Sequence, residues 1–294
     1  MITLFGKRFL TNFIAGNISS QAKDMVFGID NTSASQTDTR LGFEFYRTPV
    51  EFGGTDIYSD SNVIKYFVIY KAILPVDIAG NIKEVGIYPS RKLSLINFDS
   101  KFISDFSDAF DWTDLDGFNP LSSTTGALIA DSLLNMQSGI GSENIYTSTI
   151  PETDFSGYSV NDTVKLSYYK NDNNLEKIKI RFYSSDLAYY EIEILDNVGT
   201  GNKISNDILI STLLAGANSN NPDFSKINKI GIVLVPKNGL QTVVGLDGLR
   251  INDEDSFDPT YGLISRKVLS TPLVKISGRS VDVEYRMEIN FGTA

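Results

Sequence analysis

The chain has 294 residues, 41% hydrophobic and 11% aromatic, with a formal net charge of −10. It contains no cysteine and no histidine, which excludes disulfides, Cys- or His-ligated metals, Ser-His-Asp and Cys-His nucleophiles and any imidazole base. Carboxylate chemistry and oxygen-ligated hard cations such as calcium stay open.

The charge is uneven. Residues 98–261 hold 24 Asp and Glu against 11 Lys and Arg; the rest of the chain holds 12 against 15. An acidic middle between two mildly basic ends suggests that the ends belong together. No basic patch with interleaved aromatics is present, so nucleic acid is not an expected partner. No apolar run reaches the roughly 20 residues of a membrane span, and "MITLFGKRFLTNF" does not read as a secretory leader.

In chain order, Phe9, Leu10, Phe13 and Ile14 recur at helical spacing within residues 5–15, and Gly16-Asn17 supplies a stop. One short amphipathic helix is expected there. Strands follow at 24–29, 43–52, 63–74 and 82–89, with the turn-rich loop "DNTSASQTDTR" between the first two. The strand "IKEVGIYP" ends in a turn, yet no return strand follows it directly. Its natural mate is "YGLISRKVLSTPLVKI" at 261–276. That run leads through "SGRS", a turn of hairpin character, into "SVDVEYRMEINF", the strongest period-2 alternation in the chain.

The middle offers strands at 127–136, 163–170, 177–184, 188–195, 207–214, 227–236 and 241–251, at the turn spacing of a β-sandwich. "LEKIKIRFYSSDLAYYEIEIL" reads as a hairpin with Ser-Ser-Asp at its tip. "GIGSEN" lacks the strand-loop-helix context and the Lys of a phosphate cradle. The fold class expected is mainly all-β: a small β-rich base domain, residues 1–96 and 262–294, interrupted by an inserted jelly-roll β-sandwich, residues 97–261. Insertion at a hairpin tip is inexpensive because the two ends already lie close together.

Two resemblances follow. The ends read together resemble a small β-rich domain of tailed-bacteriophage virion proteins. The likeness rests on Gly28, Asp38, Thr39, Leu41, Glu44 and Arg47, on "IKEVGIY" (82–88) and on "LISRKVLSTPLVKISGRSVDVEYRMEINF" (263–291). One departure is Asp30, where that pattern carries Gly. The middle resembles a jelly-roll carbohydrate-binding module or galactose-binding-like sandwich, through "DFSDAFDW" (105–112), "KIRFYSSDLAYYEIEI" (179–194), "PDFSKINKIGIVLV" (222–235) and "VVGLDGLRI" (243–251).

These resemblances imply a non-enzymatic structural component of a virion, in the tail, baseplate or fibre attachment. Other virion proteins would be its partners, assembly would be as a homo-oligomer, and the projecting sandwich would bind host polysaccharide. A capsid or neck decoration protein is the first alternative; a glycan-binding or polysaccharide-depolymerising protein is the second. The sandwich resemblance further implies a structural calcium at Asp247, with Asp99, Asp105 and Asp108 as partners. Trp112, Tyr189 and Tyr190 are the candidate sugar-stacking residues. The other reading of Trp112, and the commoner one for a lone tryptophan, is a core residue that seals one end of the sandwich. Tyr189 and Tyr190 point to opposite faces of a strand, so only one of them can line a groove. The Asp105, Asp108, Asp111, Asp114 and Asp116 series reads as a cation site, a catalytic carboxylate pair or, more commonly for such a run, a solvated acidic loop.

Overall fold

The computed structural model describes residues 1–16, 22–60, 63–89, 101–195, 199–252 and 262–289. Its elements in chain order are α1 (Leu4–Ile14), β1 (Ala22–Gly28), β2 (Glu44–Pro49), β3 (Glu51–Asp60), β4 (Val63–Leu74), β5 (Gly80–Pro89), β6 (Lys101–Ser104), β7 (Thr113–Asp114), β8 (Leu121–Ser123), β9 (Leu133–Gln137), β10 (Asn144–Thr153), β11 (Thr163–Lys170), β12 (Leu175–Tyr183), β13 (Tyr189–Leu195), β14 (Gly201–Ile204), β15 (Ile208–Leu209), α2 (Ile210–Ala215), β16 (Ile227–Pro236), β17 (Val243–Asn252), β18 (Ser265–Lys275) and β19 (Val281–Ile289). The fold is all-β, and every strand pairing is antiparallel. The chain divides into two units, Met1–Ser94 with Ser256–Ala294, and Leu95–Asp255.

In the first unit, one sheet has the order β18-β5-β1-β2 and the other β19-β4-β3. Strand β5 pairs with β18, setting Ser265 opposite Ile87 and Lys275 opposite Gly80. Alternate residues of both sheets turn inward: Met25, Phe27, Val85 and Ile87 from the first meet Leu74, Tyr285 and Met287 from the second, with Phe9 of α1. Thr3 caps α1, its Oγ1 accepting from the Gly6 N–H at 2.9 Å. Gly6 has to be glycine, because a Cβ there would sit 2.0 Å from the Ile264 carbonyl oxygen.

Two sequence expectations fail in this unit. Strands β18 and β19 do not form a hairpin, because they join different sheets; the Gly278 N–H instead bonds the Val76 carbonyl at 2.7 Å. The run 43–52 is two strands, and β3 extends to Asp60 through Gly53-Gly54, which carry no alternation signal.

In the second unit a five-stranded sheet, β13-β12-β16-β10-β7, and a seven-stranded sheet built on β14-β11-β17-β9-β8 enclose one apolar core. Ile178, Ile180, Ile230 and Ile232 of the first meet Leu166, Tyr168, Leu246 and Leu249 of the second. Two expected strands are shorter than the sequence suggested. Residues 124–132 form a loop with Ala130 at φ 56°, leaving only Leu133–Gln137 as strand. Residues 210–215 form α2, whose buried Ile210 and Leu213 stand three apart on one helical face.

Candidate functional site

The β12–β13 hairpin is set by strict alternation. Its inward residues Ile178, Ile180, Phe182, Tyr190, Ile192 and Ile194 are all core. One register step moves the opposite set to the outer face of the five-stranded sheet. Register then fixes two cross-strand rows there. Tyr189, Tyr183 and Lys229 stand in line, continued by Thr149. Beside them run Glu191, Arg181, Gly231 and Thr147.

These side chains form one connected group. Arg181 Nε donates to Glu191 Oε2 at 2.6 Å, and its guanidinium carbon lies 4.5 Å from the centre of the Tyr189 ring. The Tyr183 and Tyr189 ring centres are 5.2 Å apart. Gly231 makes room for the Tyr183 ring, since a Cβ there would fall 2.7 Å from Cε2. Lys229 lies 5.6 Å from the Tyr183 ring centre and pairs with Asp186 at the hairpin tip. That pairing holds the Asp186 carboxyl below its usual range. Burial works against the Arg181 charge, but hydrogen bonds with Tyr183 and Glu191 outweigh it and raise the pKa. Farther along the face, Lys177–Glu193 at 2.7 Å and Lys179–Glu143 at 2.9 Å balance one another's charge.

The partly exposed Tyr189 ring lies under the Arg181 guanidinium, which is itself hydrogen-bonded to Glu191, so an aromatic ring stands beside oriented donors and acceptors. That combination suits a ligand with apolar C–H faces and a rim of hydroxyls.

The other sequence candidates lie elsewhere. Trp112 is 5% exposed and stacks on Phe106 with ring centres 5.0 Å apart, so it seals the core and presents no face to a ligand. Tyr190 is also core, its hydroxyl donating to the Pro222 carbonyl at 2.6 Å and its ring meeting Phe224 edge-on. Asp247 is fully buried, but its carboxylate is filled by protein donors. Oδ1 accepts the N–H groups of Leu128 and Ile129, both at 3.0 Å, and Oδ2 accepts the Ser167 hydroxyl at 2.9 Å. Asp105 accepts from Ser107 and Asp108 from the Phe110 N–H, each shaping its own turn. Asp114 does the same for Asp116 and Phe118. Asp99 lies outside the described residues. Among the described residues no group of three or more carboxylates is placed to share a metal ion. Arg181, Tyr183 and Lys229 escaped sequence reasoning because their neighbourhood depends on register across three strands.

No family model matches the chain, and no curated protein matches it. Solved structures are similar to about half of it. One is the family 11 carbohydrate-binding module of the cellulosomal cellulase Lic26A-Cel5E of Clostridium thermocellum, 14% identical, covering 52% of this chain and 94% of that one, with a TM-score of 0.38. A family 30 carbohydrate-binding module is 16% identical over 54% of this chain and 87% of its own, with a TM-score of 0.36. A CBM28 module specific for non-crystalline cellulose is 11% identical over 53% and 97%, with a TM-score of 0.34.

Proposed function

We propose that the unit Leu95–Asp255 binds a polysaccharide through the outer face of its five-stranded sheet, with Tyr189 as the stacking ring and Arg181 and Glu191 as the hydroxyl-directed pair. The observation that carries this reading is the Tyr189–Arg181–Glu191–Tyr183 cluster, an aromatic ring fixed beside paired charges on the outer face. Glu191 is committed to Arg181, which favours binding over hydrolysis. The first unit then serves as the base that carries the module. In our reading this base is a structural part of a tailed-phage virion, and many copies multiply a weak single-site affinity for host glycans. Supporting that role, residues of the virion-like segments converge in one buried network of Asp38, Glu84 and Arg266.

The test is a polysaccharide array probed with the full chain and with Tyr189→Ala, both in multivalent format. Binding by the parent that is lost in the variant is expected. Silence from the parent across the array, or equal binding by both, removes the reading.

A further inference from the structure

Among the described residues the first unit has four outer strands in its two sheets, and three are guarded against pairing with another chain. Strand β2 ends in Pro49 and carries the Glu44–Arg47 pair. Strand β18 contains Pro272 and a break in register between Val268 and Leu273. Strand β19 alternates exposed Asp282, Glu284 and Arg286 along its length. Strand β3 differs. Beyond the irregularity at Gly53-Gly54, the segment Thr55–Ser59 is regular and has no Pro, Lys or Arg. Ile57 is 64% exposed, and on the same face β4 adds Ile64 and Tyr66, both exposed. The opposite face is charged and internally paired, Arg286 reaching Asp56 at 3.1 Å and Glu284 at 2.7 Å.

We propose that this edge is a homotypic interface: β3 pairs antiparallel with β3 of a second copy about a two-fold axis at Ile57. Two-fold symmetry forces the antiparallel sense. In the register centred on Ile57, Thr55 falls opposite Ser59 and Asp56 opposite Tyr58 of the other copy. Every pair then keeps its side chains on one face, and no like charges meet. The apolar side joins Ile57, Ile64 and Tyr66 of both copies. On the charged side, Asp56 follows Phe67 and Glu288 across one copy, while Lys65 stands behind Tyr58 in the other. Lys65 pairs with Glu288 at 3.8 Å in its own copy, so the charged side meets the second copy with its ion pairs already made. The Ile57 N–H is held by Asp56 Oδ1 at 2.9 Å, a local stand-in that a carbonyl of the second copy replaces.

The chain has no cysteine, so a single introduced thiol reports the register. Opposed Cα atoms of antiparallel strands stand about 4.5–5.5 Å apart, within disulfide reach of about 4.4–6.8 Å. Ile57→Cys in the full chain should cross-link to a covalent dimer under mild oxidation. Tyr58→Cys, whose thiols would lie two residues out of register, should not. By sedimentation, the parent should self-associate, and Ile57→Lys should weaken that association about tenfold or more. Ile73→Lys, an exposed position on the other face of β4, should leave it unchanged. A parent that is monomeric at every concentration overturns the proposal. So does an oligomer that survives Ile57→Lys and leaves Ile57→Cys uncross-linked.

Discussion

Arg266 and Glu84 stand 182 residues apart in the chain and meet in the interior of the first unit, Arg266 Nε donating to Glu84 Oε2 at 2.8 Å. Glu84 is fully buried and also accepts the N–H groups of Gly42 at 3.0 Å and Phe43 at 2.9 Å. Arg266 also donates to Asp38 at 2.9 Å, to the Thr32 carbonyl at 3.1 Å and to Asp30 at 3.5 Å. The pair thus ties the strand that leaves for the second unit, the strand that returns from it, and the loop before β2. Arg266→Ala should cost about 3–5 kcal/mol, since it strands a buried carboxylate, and Arg266→Lys should recover only part because it loses the fork. Burial already raises the Glu84 pKa against the pull of Arg266. Without Arg266 it rises further, and the folded state then gains stability as pH falls through that value. Denaturant melts from neutral to acid pH should therefore show the gap between parent and Arg266→Ala narrowing.

Asp247 makes a second prediction. Its two oxygens organise the loop over the outer face of the seven-stranded sheet by capturing Leu128, Ile129 and Ser167. Asp247→Ala leaves those buried donors unpaired and should cost about 2–4 kcal/mol. Chelator should leave the parent's melting midpoint unchanged, because the carboxylate is satisfied by the protein itself. A midpoint that drops in chelator and recovers with calcium would assign a cation to this carboxylate.

Much of the fold is legible in the sequence where one face is buried and the other wet. The alternation of Ile178, Ile180 and Phe182 with Lys177, Lys179 and Arg181 fixes β12 and its faces. The strand "IKEVGIYP" is buried on both faces from Glu84 onward, and its mate is found only because nothing nearer fits. Legibility stops where tertiary contacts override local pattern. Gly53-Gly54 hide β3, and the apolar run 127–136 is bent into a loop by a carboxylate more than 100 residues away. Sidedness is the other limit. Trp112 and Tyr189 look alike as aromatic candidates, and only the packing of Phe106 on one and Arg181 on the other separates them.

Two tyrosines should resist alkali. Burial pushes the Tyr146 hydroxyl up to about 12, although it is hydrogen-bonded to Gln137. Burial does the same to Tyr285, which shares a 2.7 Å bond with Ser265. Both stay protonated in the folded state after their unfolded counterparts, with an ordinary value of 10.0, have ionised. Their contribution to stability is complete below pH 10 and is lost as pH climbs toward 12. Phenolate absorbance should rise in two stages, the last tyrosines ionising only as the fold is lost. Tyr285→Phe should flatten the loss of stability above pH 10.

Stability and binding should separate on the sandwich. Trp112→Ala removes a core ring stacked on Phe106 and should cost about 3–5 kcal/mol, while any variant that still folds should keep its polysaccharide affinity. Tyr189→Ala acts on the outer face, so its stability cost should stay near 1 kcal/mol, the value of an aromatic pair, while binding fails. Gly231→Ala discriminates further. Its new Cβ would stand 2.7 Å from Tyr183 Cε2, and the ring must lift from the sheet. Tyr183 supports Tyr189 and shares Arg181 with Glu191, so the displaced ring should weaken binding with Tyr189 and Arg181 still in place. Calorimetric titration of the folded variant, beside Thr149→Ala at the exposed end of the same row, reads the difference. Equal affinity in Gly231→Ala and the parent would show that the bound ligand does not depend on the Tyr183 ring.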